Sequence, residues 1–176
     1  MSRINTRRLP RLLAACAATA LALTSLPALS ATETDNLEVS ASVTANCTIV
    51  AAALAFGAYD PVVAHKNAPL TGQANITVAC TDGADATIRL GQGANADAGS
   101  SDAAPLRRMV SGGNHLSYSL FSDAPRTAVW GATAETDVDY VGTGVEANLV
   151  VYGSIAADQN VPEGAYADTV VATIEF

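Results

Sequence analysis

The chain of 176 residues is poor in positive charge, in cysteine, in aromatic side chains and, beyond its first 31 residues, in long apolar runs. Each shortage excludes something. Nine Lys and Arg stand against 17 Asp and Glu. Four of the nine, Arg3, Arg7, Arg8 and Arg11, fall in the first 31 residues, which hold no acid. The later cations are Lys66, Arg89, Arg107, Arg108 and Arg126, five against 17 acids, a net charge of −12. A surface of that sign repels nucleic acid and anionic membrane and favours solubility. No stretch after residue 31 is long and apolar enough to insert into a membrane. Aromatic residues make up only 5%, and Trp130 is the single Trp. A carbohydrate platform would need several aromatics on one face, so these residues read as core and edge of a fold.

Catalytic and metal-binding constellations are also missing. Gly91-Gln92-Gly93 lacks the rest of a dinucleotide fingerprint. No serine sits in a Gly-x-Ser-x-Gly elbow. The acidic pairs Asp97 with Asp102 and Asp137 with Asp139 lack the loop pattern of a calcium cage and read as solvated loops. His65 and His115 stand alone, without ligand spacing to a cysteine. The expectation is no enzyme, no metal and no cofactor.

The first 31 residues have the form of a secretory signal peptide. A basic start leads into apolar Leu12 to Leu26, and small residues follow at Ala28, Ser30 and Ala31. Leu13-Ala14-Ala15-Cys16 resembles a lipoprotein box, but four residues between Arg11 and Cys16 leave no apolar region ahead of it. Roughly 145 residues remain, the size of one domain. They keep two cysteines, Cys47 and Cys80. An even pair in an exported chain most simply forms a disulfide. Closing that loop would stabilise the fold by about 3.7 kcal/mol on the chain-entropy account.

Alternation dominates what is present. Leu37 to Ile49 carries apolar or small groups at every odd position and polar ones at every even position, which predicts one long strand. Gln73 to Cys80 and Ala84 to Gly91 alternate in the same way. Thr81-Asp82-Gly83 between them is turn chemistry, so the two are expected to form a hairpin. Leu116 to Phe121, Ala147 to Ile155 and Tyr166 to Phe176 complete the set. Short strands divided by Gly, Asn, Asp and Pro, with no clear helix, predict an all-β antiparallel sandwich.

An ordered series of short signatures runs through the chain: Asn46-Cys47-Thr48-Ile49, Phe56-Gly57-Ala58-Tyr59-Asp60-Pro61, Ile76-Thr77-Val78-Ala79-Cys80-Thr81 and Ile88-Arg89-Leu90-Gly91-Gln92-Gly93. Arg108-Met109, Leu116-Ser117-Tyr118-Ser119-Leu120-Phe121-Ser122-Asp123 and Trp130-Gly131 follow. The series closes on Val151-Tyr152-Gly153-Ser154-Ile155, Gln159, Val161 to Val170 and Ile174-Glu175-Phe176. It resembles the spore coat U domain family, which includes the subunits of archaic, Csu-type chaperone–usher pili.

The resemblance implies an incomplete immunoglobulin-like antiparallel β-sandwich, completed by a donor strand from another subunit. It implies a domain over residues 44–176, an N-terminal donor extension over 32–43, and Leu37, Val39, Ala41 and Val43 as the side chains that enter the neighbour's groove. Val170, Ala172, Ile174 and Phe176, on the last strand, would border the groove and bind the chaperone. The implied partners are neighbouring or related pilin subunits, a periplasmic chaperone and an outer-membrane usher. The implied route runs through the periplasm to a cell-surface fibre serving adhesion and biofilm formation. A protective spore or cell coat role and a secreted lectin-like module are the alternatives. On periodicity alone, Leu37 to Ile49 reads first as the opening strand of a complete domain, since strands usually belong to their own domain, and it is the resemblance that reverses this order.

Overall fold

The computed structural model describes residues 30–176. The expected signal peptide, save its last two residues, and the Cys16 motif lie outside the described residues. Residues 30–40 belong to a first unit, in which they are exposed and carry no regular secondary structure. Residues 41–176 form a second unit, which holds all eight strands found among the described residues. These are β1 (Cys47–Ala51), β2 (Leu70–Cys80), β3 (Asp85–Leu90), β4 (Arg107–Ser111), β5 (Asn114–Phe121), β6 (Val138–Val141), β7 (Ala147–Ile155) and β8 (Ala172–Glu175).

The strands form two antiparallel sheets. The larger has the order β1-β2-β7-β5-β4 and the smaller β6-β3-β8. Alternation decides which side chains meet between them. Ile76 and Val78 of β2, Ile88 and Leu90 of β3, Leu116 and Leu120 of β5, and Val151 and Ile155 of β7 are all buried in one core. Trp130 joins the layers. Its indole N–H donates to the Ile88 carbonyl at 2.9 Å, and its backbone N–H to the Leu120 carbonyl at 2.9 Å. Cys47 and Cys80 lie directly opposite each other on β1 and β2 and are joined by a disulfide, with Cα atoms 4.1 Å apart.

The incomplete all-β sandwich expected from the sequence is present, and four of its details differ. The long strand over Leu37 to Ile49 is not formed, because only Cys47–Ala51 is strand. Cys80, the partner of Cys47, is the last residue of β2, and past it the pairing ends in the Thr81 N–H donating to the Asn46 carbonyl, with no strand ahead of Cys47. Gln73 to Cys80 and Ala84 to Gly91 do not make a hairpin. A turn is present at Thr81–Gly83, with the Ala84 N–H donating to the Thr81 carbonyl at 3.0 Å. That turn carries the chain from the larger sheet to the smaller, where β3 pairs with β6 and β8. The last strand is shorter than Tyr166 to Phe176, because residues ahead of Ala172 reach across to separate partners on β4 and the loop after β3. Finally, Arg107 is not a surface cation. It is 1% exposed.

Candidate functional site: an open groove in the sandwich

The core is open to solvent on one side. The opening is a groove of about 1150 Å³. Its floor is core: Ile76, Leu90, Leu116, Tyr118, Leu120, Val151 and Ile155. One wall is Ala51–Pro61, the continuation of β1, and the other runs from Val161 to Val170 with Ala172.

Side chains with no space of their own on the large sheet build the first wall. Gly72 and Gly153 are cross-strand partners on β2 and β7. Leu54 and Phe56 fill the space above them, and a Cβ on Gly153 would lie 2.7 Å from Phe56 Cζ. The Phe56 ring meets Tyr118 edge to face, with centroids 6.2 Å apart. Beyond it, Tyr59 stacks on His65 at 5.2 Å and its hydroxyl donates to the Ala156 carbonyl at 2.8 Å. The Asp60 carboxylate accepts from the backbone N–H groups of Val62, Val63 and Ala64. These bonds hold the Asp60 carboxyl below its ordinary range.

Polar anchors fix the second wall from its outer side. The Tyr118 hydroxyl donates to Asp168 Oδ2 at 2.7 Å, and the other Asp168 oxygen accepts from the backbone and side chain of Asn95. Burial pushes the Tyr118 phenol far up, and its bond to Asp168 adds to the effect, so it remains a donor. Behind it, across β4 and β5, stands its cross-strand partner Arg107. The guanidinium donates to the carbonyls of Gly91, Leu90 and Trp130 at 2.8–2.9 Å, and Nη1 is left without a partner. Burial lowers the Arg107 pKa to about 10, which leaves it charged at neutral pH. Sequence reading missed Arg107. The available signal was parity, since Arg107 shares a face with Met109 while Arg108 faces the other way.

The second wall offers an unpaired edge. Gly91 donates to the Val171 carbonyl, Ala94 to the Thr169 carbonyl, and Ala167 exchanges both bonds with Val110. Bonds in an antiparallel ladder alternate. From Thr169 onward the odd-numbered residues therefore face β3 and the loop after it, while Ala167 faces β4. The backbone groups of Val170, Ala172 and Ile174 turn to the open side. Their side chains pack on the core.

The sequence-derived residues fall as follows. Val170 and Ala172 line the groove. Ile174 packs on the core, and Phe176 is 58% exposed beside Asp85 and Tyr140, away from the groove lining. Leu37, Val39 and Val43 are exposed, Leu37 at 88%, and Ala41 is exposed with them. Asp97 pairs with Arg108, Asp102 accepts from Gln92, and Asp137 pairs with Arg89. Asp139 is exposed. Among the described residues, no three His, Cys, Asp or Glu side chains converge as metal ligands.

Residues 33–173 match the Spore Coat Protein U domain. The chain belongs to that family. Protein U of Myxococcus xanthus is 44% identical over 158 residues, which cover 85% of this chain and 88% of the relative. Among solved structures, the fold is similar to the CsuC–CsuE chaperone–tip adhesion subunit pre-assembly complex from the archaic chaperone-usher Csu pili of Acinetobacter baumannii. The TM-score is 0.55 at 22% identity, over 76% of this chain and 40% of that one. The chain thus spans less than half of the solved chain it matches, and this likeness concerns the fold. It agrees with the incomplete sandwich described above.

Proposed function

We propose that the chain is a structural subunit of a secreted surface fibre, an archaic chaperone–usher pilus built by donor-strand exchange. One observation carries this reading: the hydrophobic core is itself the floor of an open groove, bordered by an unpaired strand edge. A surface with both features is an aggregation hazard until a strand covers it. An added strand supplies main-chain bonds to the edge and side chains to the pockets.

The donor we assign is residues 32–43 of the next subunit, with Leu37, Val39, Ala41 and Val43 entering the groove. Burying Leu37, Val39 and Val43 would contribute roughly 1.5–3 kcal/mol each. Each ladder bond adds about 0.5–1.5 kcal/mol. Because each copy gives a strand to one neighbour and takes one from another, the contact does not close, and a filament results. Before assembly a periplasmic chaperone would cover the groove, with Val170, Ala172 and Ile174 along its strand and the Phe176 carboxylate held by basic residues. An outer-membrane usher would then order the exchange, and the finished fibre would serve attachment and biofilm formation. The role is structural, with no catalytic step.

The test is an unboiled denaturing gel of material sheared from the cell surface. Strand-exchanged polymer gives a ladder that collapses to one band on boiling. Deleting residues 32–43 from the exported protein should abolish the ladder while leaving chaperone binding intact. A ladder of normal length from the deletion would remove the donor assignment. A single monomer band from the full chain would remove the fibre.

A protective coat component is the second reading. The extent of the match to Protein U, 44% identity over 88% of that protein, favours it. Genes for a chaperone and an usher beside this one would favour the pilus. Their absence, with the protein found in a cell or spore envelope fraction, would favour the coat.

A further inference from the structure

The first wall of the groove begins at Ala51, the last residue of β1. The N-terminal extension joins the domain at the other end of that strand, ahead of Cys47. Cys47 to Ala51 is five residues, so about 13 Å of strand separates the root of the extension from the groove.

One residue holds that root. Asn46 continues the register of Cys47 with Cys80 and so lies opposite Thr81. The Thr81 N–H donates to the Asn46 carbonyl at 2.9 Å, as in a regular ladder. The Thr81 carbonyl does not return the bond, because it accepts from the Ala84 N–H in the turn that leads to the smaller sheet. The side chain takes its place. Thr81 Oγ1 accepts from the Asn46 N–H at 3.1 Å, and the hydroxyl lies 3.3 Å from the Asn46 carbonyl. Both main-chain groups of Asn46 are thus held by Thr81, just where β1 gives way to the exposed residues 41–45.

We infer that Thr81 is a positioning residue for strand exchange: it pins the root of the extension at the end of β1 remote from the groove, so that the extension serves a second copy of the chain and not its own. This inference rests on the fibre reading above. Reach is the first argument. With Asn46 held, a chain that doubles back must turn at Thr44 and Ala45. Val43 then lies opposite Asn46, Ala41 opposite Thr48, Val39 opposite Val50 and Leu37 opposite Ala52. Directly opposed residues share a face of the sheet, and Thr48 and Val50 are on the exposed face of β1. Val39, Ala41 and Val43 are therefore spent outside, short of the groove. Polarity is the second argument. Asp35 and Glu33 would come opposite Leu54 and Phe56, and the groove lining holds no Lys or Arg to pair with them. A carboxylate taken from water into such a site is costly. The extension of a second copy meets neither limit, because its register in the groove is not tied to this β1.

The full exported protein in three variants tests this. The first carries about ten Gly and Ser residues inserted between Thr44 and Ala45, a flexible link that spans roughly 17 Å. The extension then reaches its own groove at an effective concentration on the order of millimolar. The ladder of bands on the unboiled gel should collapse to one compact monomer band that shifts on boiling. The second, Thr81→Val, keeps the shape and removes the hydroxyl. Growth of the gel ladder with time should slow by roughly two- to tenfold, the worth of one hydrogen bond. A labelled peptide of residues 32–43 should still enter its groove at the wild-type rate. The third, Thr81→Ser, should restore ladder growth. A gel ladder unchanged by the insertion, wild-type growth in Thr81→Val, or a Thr81→Ser variant as slow as Thr81→Val overturns the inference and leaves the fibre standing. Peptide entry slowed as much as growth places the fault in the groove and overturns it too. A wild-type chain that gives no gel ladder overturns the fibre reading and this inference with it.

Discussion

Gly72 and Gly153 stand directly opposite each other on β2 and β7, and the side chains they lack leave the slot that Phe56 and Leu54 occupy. The two positions are not equally tight. A Cβ at Gly153 would lie 2.7 Å from Phe56 and 3.0 Å from Leu54, whereas at Gly72 the distances are 3.2 and 3.3 Å. Gly153→Ala should therefore cost about 1–3 kcal/mol by overpacking, and Gly72→Ala clearly less. Denaturant midpoints of the two variants check the order. An equal loss, or a larger one at Gly72, would mean that the Phe56 wall is not seated as described.

Tyr118→Phe removes the hydroxyl that holds Asp168 and keeps the ring against Phe56. The carboxylate loses one donor and keeps the two from Asn95. The expected cost is about 1–3 kcal/mol, that of an impaired buried polar contact. Amide exchange should quicken at residues 167–171, the stretch that Asp168 anchors, more than in β2 or β7. Uniform quickening across all strands would contradict a local anchor.

The loop at Asp60 should open with acid. Its carboxylate accepts three backbone N–H groups, which favours the charged form and lowers the folded pKa below the ordinary 3.8. A depressed carboxyl contributes stability above its unfolded value, and that contribution is lost as pH falls through the lower folded value. The amide resonances of Val62, Val63 and Ala64 should thus titrate with a midpoint below 3.8. Asp60→Asn should remove the transition. A midpoint at or above the ordinary value would show that the three bonds do not hold in solution.

Cys47→Ser breaks the bridge between β1 and β2. Losing the native disulfide of a small exported domain typically costs about 2–5 kcal/mol, so the thermal midpoint and the yield of exported protein should both fall. Reducing agent should lower the wild-type midpoint to that of the variant. A variant as stable and abundant as the wild type would show that the bridge contributes nothing to the fold.

Local pattern explains which elements could be read from the sequence. β5 and β7 are legible because strict alternation puts Leu116, Tyr118 and Leu120, and Val151, Gly153 and Ile155, on one face. β4 and β6 are short and interrupted by charge, at Arg107 and Arg108 and at Asp139, so they give little signal. The false hairpin after Cys80 shows the limit of turn chemistry. Thr81–Gly83 does turn, but the sheet that each flanking strand joins depends on partners far away in the chain, at Ala147 and Val141. The groove was reachable only through family resemblance. A missing strand has no residues of its own, and the wall at Leu54 and Phe56 is explained by Gly72 and Gly153, two glycines far apart in the chain, neither of which announces a packing role.

Val151, Ile155 and Tyr118 are core residues and groove floor at once. Folding and occupancy are therefore one linked equilibrium. Any strand that binds the folded form alone adds RT ln(1 + [L]/Kd) to its stability, about 2.7 kcal/mol at a hundredfold excess over Kd. The protein is least stable when the groove is empty, and its melting temperature becomes a gauge of how full the groove is.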